Sequence, residues 1–214
     1  MMKLSQAAIA THGTAQGEAS FERVGTDSRH IMPGQLFVAL RGERFDGHAF
    51  VAQSLADGAA AAMVDREWLA ANPSEGLPLL VVDDTRRALG ALAAAWRSRF
   101  TLPVIGVTGS NGKTTVKEMS AAILRAQAAL DGADPGAAVV ATQGNLNNDI
   151  GLPLTVLGLG PAHRYAVFEM GMNKPGEIAY LAGIAAPTVA IVTNAHRAHL
   201  AGMGGLDEVA IEKG

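Results

Sequence analysis

The chain has 214 residues, enough for one large domain or two small ones, and 49% of them are hydrophobic, so a sizeable core can be buried. A net charge of −3 without a long basic run argues against nucleic-acid binding through a basic face. The absence of cysteine excludes disulfides and thiolate chemistry. Near the N-terminus, Ser5 and Gln6 interrupt any signal-peptide core. No apolar run approaches the roughly 20 residues of a membrane helix, so the chain reads as soluble and cytoplasmic, with no membrane insertion.

Residues 35–41 (QLFVALR) have strand composition and follow the Pro33-Gly34 turn. Residues 49–58 read as a helix ended by Gly58, and residues 60–64 and 79–82 as short strands. Asp83 or Asp84 caps a helix in which Leu89, Leu92, Trp96 and Phe100 recur at helical spacing, and Pro103 stops it. The domain boundary is placed at this helix, with one domain over 1–83 and another from 84 onward. Strands at 104–108, 139–142, 165–169 and 189–193 then alternate with helices at 114–127 and 176–184. Residues 126–138 read as a helix end and a surface loop. Alternation of this kind predicts an α/β fold with a parallel sheet covered on both faces. Ligands of such sheets sit at the carboxyl ends of the strands.

The strongest signal lies at one of those ends. Residues 106–115 read Gly-Val-Thr-Gly-Ser-Asn-Gly-Lys-Thr-Thr, leaving an apolar strand and entering a helix. Glycines let the backbone curl so that several N–H groups face one phosphate, and the helix N-terminus adds its dipole. Gly109, Ser110, Asn111, Gly112, Lys113, Thr114 and Thr115 are the candidate ATP contacts. Lys113 can reach the β and γ phosphates and the Thr114 hydroxyl can ligate magnesium. The usual glycine five residues before Gly112 is Val107 here, so the spacing is a variant. A Gly-rich turn with an incidental lysine is the competing interpretation.

Two further groups stand at strand ends or in a glycine-bounded loop. Glu169 closes the strand at 165–169, where a carboxylate can complete a magnesium shell with Thr114, or can cap a helix or pair with a cation. Asn145, Asn147 and Asn148 can bind a phosphate or sugar, or form Asx turns.

The loop TGSNGKTT with this spacing resembles the Mur ligases and their relatives, which join an amine to a carboxylate with ATP. Residues 144–153 (GNLNNDIGLP) resemble the branch that adds D-alanyl-D-alanine to UDP-N-acetylmuramoyl-tripeptide. Residues 169–172 (EMGM), the stretch 194–204 and the N-terminal TDSR at 26–29, PGQLFVA at 33–39 and DGH at 46–48 are similar too. That resemblance implies a small N-terminal α/β domain for the UDP end of the substrate, a central P-loop ATPase domain and a third domain. The chain would hold the first domain and the first part of the second, with the C-terminal domain absent. It implies ATP and magnesium as cofactors, UDP-N-acetylmuramoyl-tripeptide and D-alanyl-D-alanine as substrates, an acyl phosphate route and a monomeric full-length enzyme. Lys113, Glu169 and His199 become the catalytic set, with Thr114, Glu169 and His199 as metal ligands. His199 is read as a second-metal ligand because residues 198–200 keep the family spacing. Ala201 stands where relatives often carry glutamate, and His196-Arg197 replace smaller residues. Lys213 falls where the family carries a carbamylated lysine; at the penultimate position it is expected to be solvated and unmodified. Substrate contacts fall to Asn145 and Asn147 and, in the first domain, to Ser28, Arg29 and the backbone near Gly42 and Gly47. Arg29 could pair with the diphosphate or simply with Asp27.

Other readings are a different amide ligase of the same superfamily (third-residue-adding or folylpolyglutamate synthase-like), a P-loop kinase or GTPase of another class, and a non-catalytic fragment that only holds the UDP-muramyl peptide. The GNLNND run argues against the first, and the lack of a guanine-reading NKxD segment against a GTPase.

Overall fold

The computed structural model describes residues 1–43, 45–74, 76–195 and 211–212. The chain divides into two compact units, Met1–Ala95 and Trp96–Gly214.

The first unit opens with β1 (Met2–Lys3) and α1 (Leu4–Thr11), followed by β2 (Thr14–Gln16), β3 (Ser20–Phe21), β4 (Arg23–Gly25) and β5 (Gln35–Val38). A 3-10 turn at Gly47–Phe50 leads into α2 (Val51–Ala56), then β6 (Ala61–Asp65), α3 (Arg66–Ala71) and β7 (Leu79–Val82). The sheet order is β2-β7-β6-β5-β4, with β2 antiparallel to β7 and the other pairs parallel. β1 and β3 form a separate antiparallel pair. All residues of β5, β6 and β7 are buried, as their continuous apolar runs require of a sheet covered on both faces. Phe37, Val51, Ala62, Val64, Leu79 and Val81 form one apolar cluster, against which Leu55 and Trp68 pack.

Helix α4 (Thr85–Arg97) closes this unit and enters the next. Asp84 caps it by accepting from the backbone N–H of Arg86 and Arg87, and Leu89 and Leu92 on its buried face are wholly excluded from solvent.

The second unit continues with β8 (Val104–Thr108), α5 (Lys113–Leu130), a short α6 (Pro135–Ala138), β9 (Val139–Ala141), α7 (Gly151–Leu157), β10 (Tyr165–Glu169), α8 (Glu177–Ala185) and β11 (Val189–Val192). The sheet runs β11-β8-β10-β9 and every pair is parallel. Side chains alternate across it. Val107, Val139 and Val167 meet Ala121 and Ala128 of α5, while the opposite face carries Val104, Ala166 and Phe168, all without solvent exposure. α8 packs on β8, and α7 on α8. The buried Arg97 guanidinium donates to the carbonyls of Ala185 and Ala186, satisfying the end of α8.

The strand expected over 35–41 stops at Val38, because Arg41 turns back to bridge Asp46. The helix expected over 49–58 is a 3-10 turn running into two turns of α-helix. Residues 126–138 continue α5 to Leu130 and then form α6, capped by Asp134.

Candidate functional site

Strands β8, β9, β10 and β11 are parallel, so their carboxyl ends share one edge of the sheet, and the candidate residues of the second unit gather there. The phosphate loop leaves β8 at Thr108. Gly109 and Gly112 adopt φ of 140° and 79°, which L side chains rarely reach. A side chain at Gly112 would meet nothing within 4 Å, so the loop stands open where α5 begins. Lys113, the first residue of α5, folds over the loop and donates to the carbonyl of Gly109 at 2.8 Å. Thr115 lies exposed in the same first turn.

Glu169 ends β10 and is only 2% exposed. One carboxylate oxygen accepts from the Thr114 hydroxyl at 2.9 Å and the other from the Asn147 side-chain amide at 2.8 Å. Its backbone N–H donates to the buried Thr142 hydroxyl at 2.9 Å. Two segments distant in sequence thus converge on one buried carboxylate, and a third, at Thr142, holds its backbone. Gly171 makes the approach of the 144–153 loop possible: a Cβ there would sit about 3.1 Å from the Asn147 side chain, and its N–H donates to the Asn147 carbonyl.

The three asparagines take different parts. Asn147 reaches Glu169, and Asn148 accepts from the N–H groups of Ile150 and Gly151, an Asx cap on α7. Asn145 is exposed to solvent. The sequence left phosphate binding and Asx turns open for this loop; the Asx turn is realised at Asn148.

Sequence reasoning passed over three residues. Thr142 supports Glu169. Lys117, 1% exposed on α5, donates to the Thr142 carbonyl at 2.8 Å and to the Glu118 carboxylate. Asn194 bonds the phosphate loop from the end of β11. Lys117 had a sequence signal, because it occupies the same helical stripe as Ala121 and Ala128.

In the first unit, Thr26, Asp27, Ser28, Arg29, Phe37, Phe45, Gly47 and Phe50 line an open cleft of about 710 Å³. Ser28, Arg29 and Gly47 therefore share one cleft. Gly42 lies beside Phe45: a side chain there would press on the Phe45 ring, and its N–H donates to the Phe45 carbonyl. The Arg29 guanidinium makes two bonds of 2.8 Å to the Asp27 carboxylate in an exposed pair, and these hold Asp27 well below the usual carboxylate range. His48 does not face the cleft. It is 2% exposed, its Nε2 accepts from the N–H of Asp65, and Nδ1 then carries the proton donated to Asp46 at 2.6 Å. The Asp46-Gly47-His48 turn is built from within.

His199 and Lys213, with His196, Arg197 and Ala201, lie outside the described residues. Among the described residues no three His, Cys, Asp or Glu side chains gather as a metal centre. No described helix is long and apolar enough to cross a membrane.

Residues 107–214 match the Mur ligase middle domain, and residues 20–97 match the catalytic-domain model of the Mur ligase family. The UDP-N-acetylmuramoyl-tripeptide--D-alanyl-D-alanine ligase of Escherichia coli K12 is 46% identical over 212 residues, 99% of this chain and 44% of that protein. The enzyme of the same name from Bacillus subtilis 168 is 45% identical over 89% of this chain and 39% of its own length. The chain thus spans less than half the length of these relatives. Among solved structures, MurF from Acinetobacter baumannii superposes with a TM-score of 0.83 at 42% identity, over 98% of this chain and 44% of that one. MurF ligase from Thermotoga maritima in complex with ADP gives 0.76 at 34% identity, over 90% and 42%. This chain belongs to the Mur ligase family.

Proposed function

We propose that the chain forms the substrate- and nucleotide-binding part of an ATP-dependent ligase, cytoplasmic and monomeric when full length, that joins D-alanyl-D-alanine to UDP-N-acetylmuramoyl-tripeptide. Residues 1–83 are the UDP-substrate domain and residues from 84 onward belong to the ATPase domain. The observation that carries this reading is the convergence of Thr114 and Asn147 on the buried Glu169 carboxylate beside the phosphate loop. Relatives that share 45–46% identity and bear this ligase's name support the choice of reaction.

The donor set fits the implied cofactors. A hydroxyl and a carboxylate lie 2.9 Å apart at the start of α5, both hard oxygen donors of the kind magnesium prefers. Few protein ligands are needed, because magnesium in such sites keeps water and phosphate oxygens. The open nest at Gly112 and the Lys113 ammonium suit a polyphosphate. When bound, ATP supplies the phosphoryl group that turns a carboxylate into an electrophile, and magnesium offsets its charge. Lys113 and the loop amides hold the phosphates, Thr114 and Glu169 hold the metal, and Asn147 fixes the Glu169 carboxylate. His199 would add a second-metal contact, while Asn145 faces the substrate. In the first unit Ser28, Arg29, Gly42 and Gly47 receive the UDP end, with Arg29 exchanging its Asp27 partner for diphosphate.

Calorimetric titration tests the reading. The chain is expected to bind UDP-N-acetylmuramoyl-tripeptide more tightly than the form that ends at D-glutamate. Equal or inverted preference would assign a different ligase of the family. A folded chain that binds neither would sink the assignment of the first unit.

A further inference from the structure

The phosphate loop is bonded to a second strand end as well as to its own helix. Thr193 and Asn194 follow β11, which pairs with β8 in parallel register. Asn194 accepts twice: its backbone carbonyl takes the N–H of Ser110 at 3.0 Å, and its side-chain oxygen takes the N–H of Asn111 at 3.0 Å. It also donates, from Nδ2 to the Asn111 carbonyl at 3.1 Å. The Thr193 hydroxyl donates to the same carbonyl at 2.6 Å, and the Thr193 N–H donates to the Thr108 carbonyl at 3.0 Å. Five bonds thus join a four-residue stretch of loop to two residues at the end of the neighbouring strand. Gly109 is the point of closest approach. A Cβ there would collide with the Thr193 hydroxyl, and the φ of 140° bars other residues as well.

We infer that Asn194 is a positioning residue of the phosphate loop, a latch that fixes residues 109–111 as framework and leaves the phosphates to Lys113 and the amides of residues 112–115. The inference rests on reading residues 109–115 as the nucleotide loop. An asparagine side chain is suited to the task because one amide group offers an acceptor and a donor about a peptide's width apart, matching the N–H and C=O of a single residue, Asn111. The same residue opens the segment that leads toward His199. A loop that would otherwise lose entropy on meeting phosphate is therefore already ordered through β11, and the ordering cost is not charged against nucleotide binding. Ser110 and Asn111, which the sequence suggested as ATP contacts, serve the nest from behind.

The test uses the whole 214-residue chain. Residue-resolved amide exchange is followed without nucleotide in the wild type, Asn194→Ala and Thr193→Val, and each is then titrated with magnesium-ADP. Lys113→Ala serves as the binding control. The latch predicts a protected Asn111 amide in the wild type that exchanges about tenfold faster in Asn194→Ala, the worth of one hydrogen bond. Amides of β8 and β10 should keep their protection, which separates a local latch from general loosening. Magnesium-ADP affinity should fall about tenfold in Asn194→Ala and less in Thr193→Val, which keeps both bonds to the Asn111 amide group. An Asn111 amide that exchanges as fast as an open loop in the wild type would overturn the latch. So would a variant whose Asn111 is deprotected yet whose nucleotide affinity is unchanged. If wild type and Lys113→Ala both fail to bind nucleotide, the nucleotide reading falls, while the exchange rates still decide whether the latch exists. Should Asn194→Ala not fold, Asn194→Leu, close to asparagine in size and without its amide, carries the same two readouts.

Discussion

Lys117 places a full charge on a stripe of α5 that is otherwise apolar. Its ammonium is buried between the Thr142 carbonyl and the Glu118 carboxylate, and Glu118 is held below the usual carboxylate range chiefly by that bond. Burial of an ammonium is tolerable only with such partners. What it secures is Thr142, whose hydroxyl receives the Glu169 N–H. Lys117→Met, close in length and uncharged, is expected to lower unfolding stability by about 1–3 kcal/mol, because the Thr142 carbonyl loses its buried partner. Urea denaturation measures this, and an unchanged midpoint would remove Lys117 from the support of the site. The same residue shows where sequence reading stopped. A lysine in a helix is by default a solvated one, so its place on the buried stripe carried less weight than its charge. Lys113, Thr114 and Glu169 were legible because a glycine loop and a strand end single them out. Asn194 was not, because its bonds cross between strands far apart in the chain.

At the level of elements, the strands of the second unit were legible to within a residue at each end, since each reads as a short apolar run bounded by turn signals, whether mostly buried as in β8 and β10 or largely exposed as in β11. Helices and strands without an apolar signature were not. No residue of α3 is buried, and α7 begins Gly-Leu-Pro, a composition that marks turns; Pro153 sits in the first helical turn, where no intrahelical donor is needed. β2 is a three-residue edge strand that only its pairing with β7 defines. The junction of β6 and α3 is held by one side chain. Asp65 accepts from the Trp68 N–H at 2.7 Å, capping α3, and from the Arg41 guanidinium at 2.7 and 3.1 Å, with buried His48 alongside. Burial works against its ionisation, yet the Arg41 guanidinium and the cap outweigh it and keep the Asp65 carboxyl below its ordinary value of 3.8. A depressed folded-state value contributes stability that is fully present above 3.8 and is lost as pH falls through the lower folded value. Asp65→Asn retains the cap but loses the charge opposite Arg41. At neutral pH it should cost about 1–2 kcal/mol, allowing for solvent around Arg41, and the difference from wild type should shrink once pH drops below 3.8. Thermal melts at pH 7 and pH 3 measure both. A difference that does not depend on pH would show that Asp65 acts through its cap alone.

Across the whole molecule, each unit has its own sheet and apolar cluster and its own candidate binding residues. The cleft between Ser28, Arg29, Phe45 and Phe50 belongs to the first, and the loop with Glu169 to the second. If the chain carries a UDP-substrate site and a nucleotide site as proposed, single substitutions should separate them. Lys113→Ala removes the ammonium over the phosphate loop and leaves the Arg29 cleft untouched. It should abolish magnesium-ADP binding while UDP-N-acetylmuramoyl-tripeptide binds as to wild type. Arg29→Ala should do the reverse, weakening the UDP ligand about tenfold or more through loss of a bidentate phosphate contact. Ligand-induced stabilisation gives the same answer by another route. A ligand at about 100 times its dissociation constant adds about 2.7 kcal/mol to whatever it binds. Each ligand should therefore protect the amides of one unit in hydrogen exchange, the UDP substrate those of β5–β7 and magnesium-ADP those of β8–β10. Protection of both units by either ligand alone, or loss of both affinities from one substitution, would mean that the two sites form a single cooperative system.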